Sequence, residues 1–311
     1  MNKLGSGFKP RTWLMGAILA AAVVGCGSGD EGRIFGTDVN STSTGTPAAP
    51  GPANPGPAGA APALASAASF GTFGGSAGMT NTGIQTEIND GDIGTTATGT
   101  SSITGFHDSA GDIYTETLAN IGAVSGLIFT CTNSTTGPTA AGPNAASCAI
   151  ATQARADALT AYNDLVARPG GPDPGAGNLA NLTLAPGVYT AAAGSFMIQG
   201  GDLTLDAQGN ADAVWVFQMA TTLTVGGPGA AFPQSIILAG GAQPKNIFWQ
   251  VGSAATINAA GGGTMAGTII SQAGAAFSTA GNVTIVTLNG RVQSLGASVT
   301  LVDTVINVPA P

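Results

Sequence analysis

Three similar hexamers near the C-terminus constrain this chain more than any other feature. Gly252-Ser253-Ala254-Ala255-Thr256-Ile257, Gly274-Ala275-Ala276-Phe277-Ser278-Thr279 and Gly296-Ala297-Ser298-Val299-Thr300-Leu301 follow one another at a spacing of 22 residues. Upstream, Phe217 to Val225 aligns with Trp249 to Ile257 at a spacing of 32, which reads as one repeat carrying an insertion of ten residues, Gly226 to Ser235. A period of roughly 20 to 25 residues in Gly-, Thr-, Ala- and Val-rich text predicts a parallel β-helix, with three short strands per coil and turns between them.

Coils of this kind stack at the interstrand distance of about 4.7 Å, so equivalent residues form straight ladders up each face. In the register set by the hexamers, Thr256, Ser278 and Thr300 share one ladder, and Ala254, Ala276 and Ser298 the neighbouring outward one. Thr222 and Thr224 take the two places one coil earlier. Alternate outward residues on a strand lie about 6.7 Å apart, so the expected face is a grid of methyls, hydroxyls and small side chains. Threonine suits such a grid because its β-branch restricts χ1. A rigid grid is expected to order its first water layer, and ice is an extended partner of comparable periodicity. The same residues also suit an exposed strand with no ligand, so polysaccharide binding and a plain spacer stay open. Phe277 is the only aromatic in the repeated hexamers, fewer than stacking on sugars requires.

Charge excludes other partners. The chain carries 8 Lys and Arg against 16 Asp and Glu, a net charge of −8. Lys3, Lys9 and Arg11 precede an apolar run, Trp13 to Val24, too short to span a bilayer comfortably, which predicts a cleaved export signal over residues 1–25. Removing those three cations takes the balance from −8 to −11. Nucleic acid is therefore not expected as a partner, nor is electrostatic docking on anionic lipid. Val23-Val24-Gly25-Cys26 resembles the lipobox of bacterial lipoproteins, which implies a lipid on Cys26, attachment to a membrane through it, and display at the outer membrane or cell surface. Residues 26–63, dense in Pro, Gly, Ser and Thr, read as a flexible tether, and the folded domain is expected over 64–311. Cys131 and Cys148 remain as an even pair in an oxidising compartment, where a disulfide is expected.

One helix stands out. Ile150, Ala154, Ala158 and Tyr162 recur every four residues, Leu165 and Val166 extend the stripe, and Pro169-Gly170-Gly171 ends it. It is expected to lie along a sheet and cover it.

Catalysis finds little support. Asp202, Asp206 and Asp212 are the nearest approach to a carboxylate pair, but their text reads as a turn. Asp90-Gly91-Asp92 reads the same way, with Ca²⁺ ligation as the alternative. His107, the single histidine, is taken as a loop residue. No cofactor and no metal is expected.

Longer stretches carry a resemblance. ALASAASFGTFGGSAGMTNTG, TQARADALTAYNDLVAR, LTLAPGVYT, GDLTLDAQGNADAVWVFQMATTLTV, GAQPKNIFWQVGSAATI, LNGRV and ASVTLVDTVI resemble the bacterial and fungal ice-binding-protein-like family (DUF3494) from about Leu64 to Val308. The resemblance implies a right-handed, discontinuous parallel β-solenoid of triangular section with one long α-helix packed alongside. It also implies binding of an ice crystal surface on one flat side, inhibiting recrystallisation or attaching cells to ice; the domain is expected to be non-catalytic and a monomer. The segment Thr104 to Ala149 departs from the family pattern and is expected to form a cap or an extra loop. The alternative function is a cell-surface adhesin or glycan-binding solenoid without ice activity.

Overall fold

Alternation of apolar and small polar residues gives the short strands of the exposed sides, which bury every second side chain, whereas strands such as Trp215–Met219 and Ile247–Val251 are buried on both faces; the turns between them close each strand run into a coil. A computed structural model describes residues 55–226 and 233–310. The expected leader, Cys26, the tether up to residue 54 and residues 227–232 of the insertion lie outside the described residues. Each coil has three sides. The first runs under the helix: Gly187–Thr190, Trp215–Met219 and Ile247–Val251 pair in parallel, followed by the last residues of Thr264–Ser271 and Val286–Ser294. The second is a seven-stranded sheet of very short strands in the order Phe196–Ile198, Leu223–Val225, Ala255–Ile257, Ala275–Phe277, Val299–Leu301, Met79–Asn81, Ile103–Thr104. The third begins as Thr183–Leu184, Leu203–Asp206 and Ile236–Ala239. In later coils one long strand serves both the third side and the first, with Gly267 (φ 104°) at the junction, where a Cβ would come within 2.6 Å of the Ile247 carbonyl.

Parallel stacking places like on like in the interior. Tyr189, Phe217 and Trp249 form a column with ring centroids 5.5 and 4.0 Å apart. Two buried glutamines on the outward side of the same strands tie the sheet to the helix: Gln218 Nε2 donates to the Leu165 and Arg168 carbonyls, and Gln250 Nε2 to the Tyr162 hydroxyl.

The stack is discontinuous. Phe70–Gly74, near the beginning of the described chain, pairs with Val286–Ser294; Met79–Asn81 pairs with Val299–Leu301, and Thr86–Asn89 with Thr304–Asn307. The segment from Thr104 onward adds further short strands beyond this point, including the hairpin of Phe106–His107 with Ile113–Tyr114, and closes that end as a cap. The disulfide Cys131–Cys148, with Cα atoms 4.2 Å apart, joins the cap to the first turn of α1 (Ala145–Ala167). From there α1 crosses the coils back to the strand of Gln218.

Four expectations change. The buried stripe of α1 is Ala151, Ala154, Ala158, Ala161, Tyr162 and Leu165, while Ile150 and Val166 are 41% and 51% exposed. A strict every-four pattern drifts around a helix of 3.6 residues per turn, and steps of three and four keep the small residues on the sheet. The extra length of the long coil is divided: ten residues, 226–235, join the second side to the third where the next coil uses 258–263, and a corner over 240–246 with a 3₁₀ turn replaces a continuous strand. The folded part begins by Pro55 rather than Leu64, since the Val188 N–H donates to the Gly56 carbonyl at 3.1 Å and Arg168 donates to the carbonyls of Ala58 and Ala60. His107 sits in the strand Phe106–His107, 2.6 Å from Glu116, because its backbone pairs with the hairpin rather than looping free.

Candidate functional site

The seven-stranded sheet has one fully outward position per strand, flanked on each side by inward residues that are buried. These central residues are in direct register from coil to coil: Met197, Thr224, Thr256, Ala276, Thr300, Thr80 and Thr104. All are partly exposed. Five of the seven are threonine. Seven strands at about 4.8 Å per step make a row roughly 29 Å long. The hydroxyls of Thr224, Thr256, Thr300 and Thr80 make no hydrogen bond with another described residue, so they are left to solvent; Thr104 is held by the Ser101 carbonyl at 3.3 Å.

A second outward row lies one alternation along each strand. Its members follow from the backbone ladder, in which Phe196 N–H bonds Thr222, Leu223 bonds Ala254, Ala255 bonds Gly274, Ala275 bonds Ser298, Val299 bonds Gly78 and Met79 bonds Ser102. Thr222, Ala254, Gly274, Ser298, Gly78 and Ser102 are therefore neighbours, and Ser195 completes the row with its hydroxyl 3.0 Å from that of Thr222. Neither row contains a charged side chain.

This register corrects the one read from the hexamers. Ala255 pairs with Ala275 and Ala275 with Val299, so the successive steps are 20 and 24 residues rather than two of 22. Ala276, expected in the flanking row, stands between Thr256 and Thr300. Ser278 leaves the ladder altogether: it follows the strand in a left-handed turn (φ 62°) and is buried. Phe277 falls in line with Ile257 and Leu301 and is 0% exposed. The physical reason is unequal turns. The corner 278–285 before Val286–Ser294 is longer than the corner 258–263 before Thr264–Ser271, so counting residues overshoots one strand and undershoots the next. Thr222, Thr224, Ala254, Thr256, Ser298 and Thr300 hold the places assigned to them.

Thr80 and Thr104 were not found by the repeat, because their strands join the stack from the other end of the chain. The signal was present as a triplet of small residue, apolar residue and threonine. Gly78-Met79-Thr80 and Ser102-Ile103-Thr104 match Ser298-Val299-Thr300, Ala254-Ala255-Thr256 and Thr222-Leu223-Thr224.

The third side is less uniform. Its outward row includes Thr264, Thr287, Val305, Glu87, Ala123 and His107, so it carries a carboxylate and the His107–Glu116 pair. Beside it Asn289, Asn307 and Asn89 bond one another up the stack at 2.9 and 3.1 Å, which uses their amides internally.

Of the carboxylates singled out in the sequence, Asp206 caps a turn, while Asp202 and Asp92 tie together segments far apart in the chain. Asp206 Oδ1 accepts from Gln208 N–H at 2.9 Å, Asp202 Oδ1 from Ser235 N–H at 2.7 Å, and Asp92 Oδ1 from Leu127 N–H at 2.9 Å. Asp212 N–H donates to Asn210 Oδ1 in the same loop. Asp90 takes a left-handed conformation, φ 57°. Among the described residues no group of three His, Cys, Asp or Glu is arranged to hold a metal.

A solenoid that offers a flat, uncharged, in-register sheet face defines a class of proteins whose contact area is a plane rather than a cleft. The sequence signature of the ice-binding-like family matches residues 73–307, and the chain belongs to that family, which is non-enzymatic. It is 37% identical over 232 residues to an ice-binding protein of Leucosporidium sp., covering 71% of this chain and 76% of that one. Ice-binding protein 1 of Shewanella frigidimarina is 35% identical over 193 residues, 60% of this chain but 20% of that protein's length, and for the Nostoc sp. ice-binding protein the matched share of its length is 56%. The chain thus spans only part of these two relatives. Among solved structures, the Shewanella frigidimarina DUF3494 domain superimposes with a TM-score of 0.62 at 30% identity, covering 81% of this chain and 98% of that domain. The ice-binding protein of the Antarctic ascomycete Antarctomyces psychrotrophicus gives 0.59 at 30% identity, with coverage of 81% and 100%.

Proposed function

We propose that this domain binds ice through the seven-stranded face, with Thr224, Thr256, Thr300, Thr80 and Thr104 as its principal contacts. The register of the rungs carries the reading: hydroxyls and methyls recur at one interval along one line, on strands locked by backbone ladders, with no charge to impose a competing hydration pattern. Thr222, Ala254, Ala276 and Ser298 lie at further points of the grid and add small groups that let a water layer lie close. The family and the names of its relatives favour the same ligand. A sugar-binding reading loses ground, since the one aromatic of the repeated hexamers, Phe277, is in the core and stacking is what a glycan face needs.

The same proposal includes export and display on a lipid at Cys26, which rests on the leader and lipobox text alone. Metabolic labelling with a fatty-acid analogue, with and without Cys26→Ala, tests that part separately; label retained on the variant removes it.

The ice reading is tested on the chain from Gly27 to Pro311 by partitioning into a growing ice hemisphere and by recrystallisation of a polycrystalline film. Thr256→Tyr together with Thr300→Tyr is expected to lower partitioning at least tenfold while leaving circular dichroism unchanged, because each ring lifts the ice plane off its neighbours. Partitioning of the folded double variant at the wild-type level moves the binding face elsewhere.

A further inference from the structure

The threonine row is assembled from two parts of the chain. Its rungs from Met197 to Thr300 follow sequence order, and the next two, Thr80 and Thr104, come from the beginning of the domain. The step from Thr300 to Thr80 is where the row crosses that break. Backbone pairing on the face itself covers three residues there, Met79–Asn81 on Val299–Leu301, and the Thr82 N–H adds one bond to the Leu301 carbonyl. Beyond Thr82 the chain turns a corner in which Ile84 and Gln85 belong to no strand. A side chain holds them instead: Asp303, 4% exposed, accepts both amides on Oδ1, each at 2.9 Å. Bonds from backbone N–H to a carboxylate are stronger than those to a neutral oxygen. The approach is close, since a Cβ on Gly83 would come within 2.3 Å of that oxygen. Asp303 has φ 42°, a left-handed conformation that Asp and Asn tolerate better than most side chains. The same corner uses this device between other rungs. Asn258 accepts from the Gln234 N–H and donates to its carbonyl, Asn282 donates to the Ala259 carbonyl, and Asn81 to the Gly105 carbonyl.

We infer that Asp303 is a positioning residue for the threonine row: by holding the Ile84 and Gln85 amides it keeps the Thr80 rung in the plane and at the spacing of Thr300 across the break in the chain. Its consequence for ice rests on the ice-binding role proposed for that face. A strand of three residues has few ladder bonds with which to resist tilting, and a tilt at Thr80 divides seven aligned rungs into five and two.

The test compares the chain from Gly27 to Pro311 with Asp303→Gly, which removes the acceptor without straining the backbone, and Asp303→Asn, which keeps an oxygen in its place. In methyl NMR the cross-peak between Thr80 and Thr300, on rungs about 4.8 Å apart, is expected to fall at least twofold in Asp303→Gly and to persist in Asp303→Asn. The cross-peak between Thr224 and Thr256 is expected to persist in both. Ice partitioning is expected to drop at least fivefold in Asp303→Gly and to stay within twofold of wild type in Asp303→Asn. Tyr189→Phe weakens the core at the far end of the stack and is expected to change neither readout, which separates positioning from loss of stability. The proposal is overturned by an unchanged Thr80–Thr300 cross-peak in folded Asp303→Gly, or by an equal loss in Asp303→Asn or in Tyr189→Phe. The cross-peak needs no ice, so a wild-type chain that stays out of ice removes the ice reading while the cross-peak still decides the positioning. If Asp303→Gly does not fold, amide exchange in the wild-type chain decides: protection of Ile84 and Gln85 by at least tenfold supports the role, and exchange at the unfolded rate overturns it.

Discussion

Ala276 interrupts a row of threonines at its middle rung, between Thr256 and Thr300. Ala276→Thr places a methyl and a hydroxyl where its neighbours have theirs, on a strand position that favours β-branched residues. It is expected to raise ice partitioning severalfold with a stability change within about 0.5 kcal/mol. Ser278→Ala, two residues on, is expected to leave partitioning unchanged, because that side chain is buried in a turn where its Oγ is 3.4 Å from Asn282 Nδ2. Equal responses from the two variants contradict the register. A different residue reports on the interior. Burial pushes the Tyr189 phenol up from 10 to about 12, and raises Tyr114 in the same direction. A phenol whose folded value is raised keeps its full stabilising contribution below the unfolded value and loses it as pH climbs through the folded one. Urea midpoints are therefore expected to fall between pH 10 and pH 12, and Tyr189→Phe to flatten that decline. At neutral pH this variant costs about 1 kcal/mol for the lost hydrogen bond to the Ala185 carbonyl. A decline of the same slope in Tyr189→Phe assigns the effect to other groups.

Among the elements, α1 and the cap depend on each other through one covalent link. The disulfide closes a sequence separation of 17, and replacing both cysteines by serine is expected to cost roughly 3 kcal/mol. Hydrogen exchange should show the loss first around Ile128–Thr130 and the start of α1, ahead of the column of Tyr189, Phe217 and Trp249; uniform loss across the domain argues against a local role. The helix was legible in the sequence because Ala154, Ala158, Tyr162 and Leu165 recur at helical spacing and proline follows directly. Its true contact face was one residue off at each end, since Ile150 and Val166 are apolar yet face outward, and hydropathy alone does not tell a covering helix which side meets the sheet. The strands behaved in the opposite way. Their existence and their triplet of small, apolar and threonine residues could be read directly. Register could not, because Ser278 and Ala276 look interchangeable in text and are separated only by the lengths of two corners.

For the whole molecule, the repeat announced a solenoid but hid its order. Thr80 and Thr104 complete the threonine row from strands that the repeat period never reaches. The joint between the two parts lies at residues 286–307, inside the stack rather than at its end. A chain stopped after Thr284 is thus expected to lose far more than the last coil. Phe70–Thr95 and the cap lose their strand partners while keeping the packing of Phe70, Phe73 and Phe129 against Ala151 and Ala154 of α1 and the disulfide, and limited proteolysis is expected to cut there while the strands around Trp215 and Trp249 resist. Protection of the Phe70–Thr130 region in that truncated chain overturns the expectation.

Synthesis proceeds from the N-terminus, yet Thr86 receives the Thr304 amide from 218 positions away. The first strands made thus spend nearly the whole of translation with bare edges, and their partners are the last to arrive. Contacts of such long range make closure slow. The coil that a ribosome finishes first is the one the fold can only finish last, and any pause in production leaves an open sheet waiting rather than a smaller working domain.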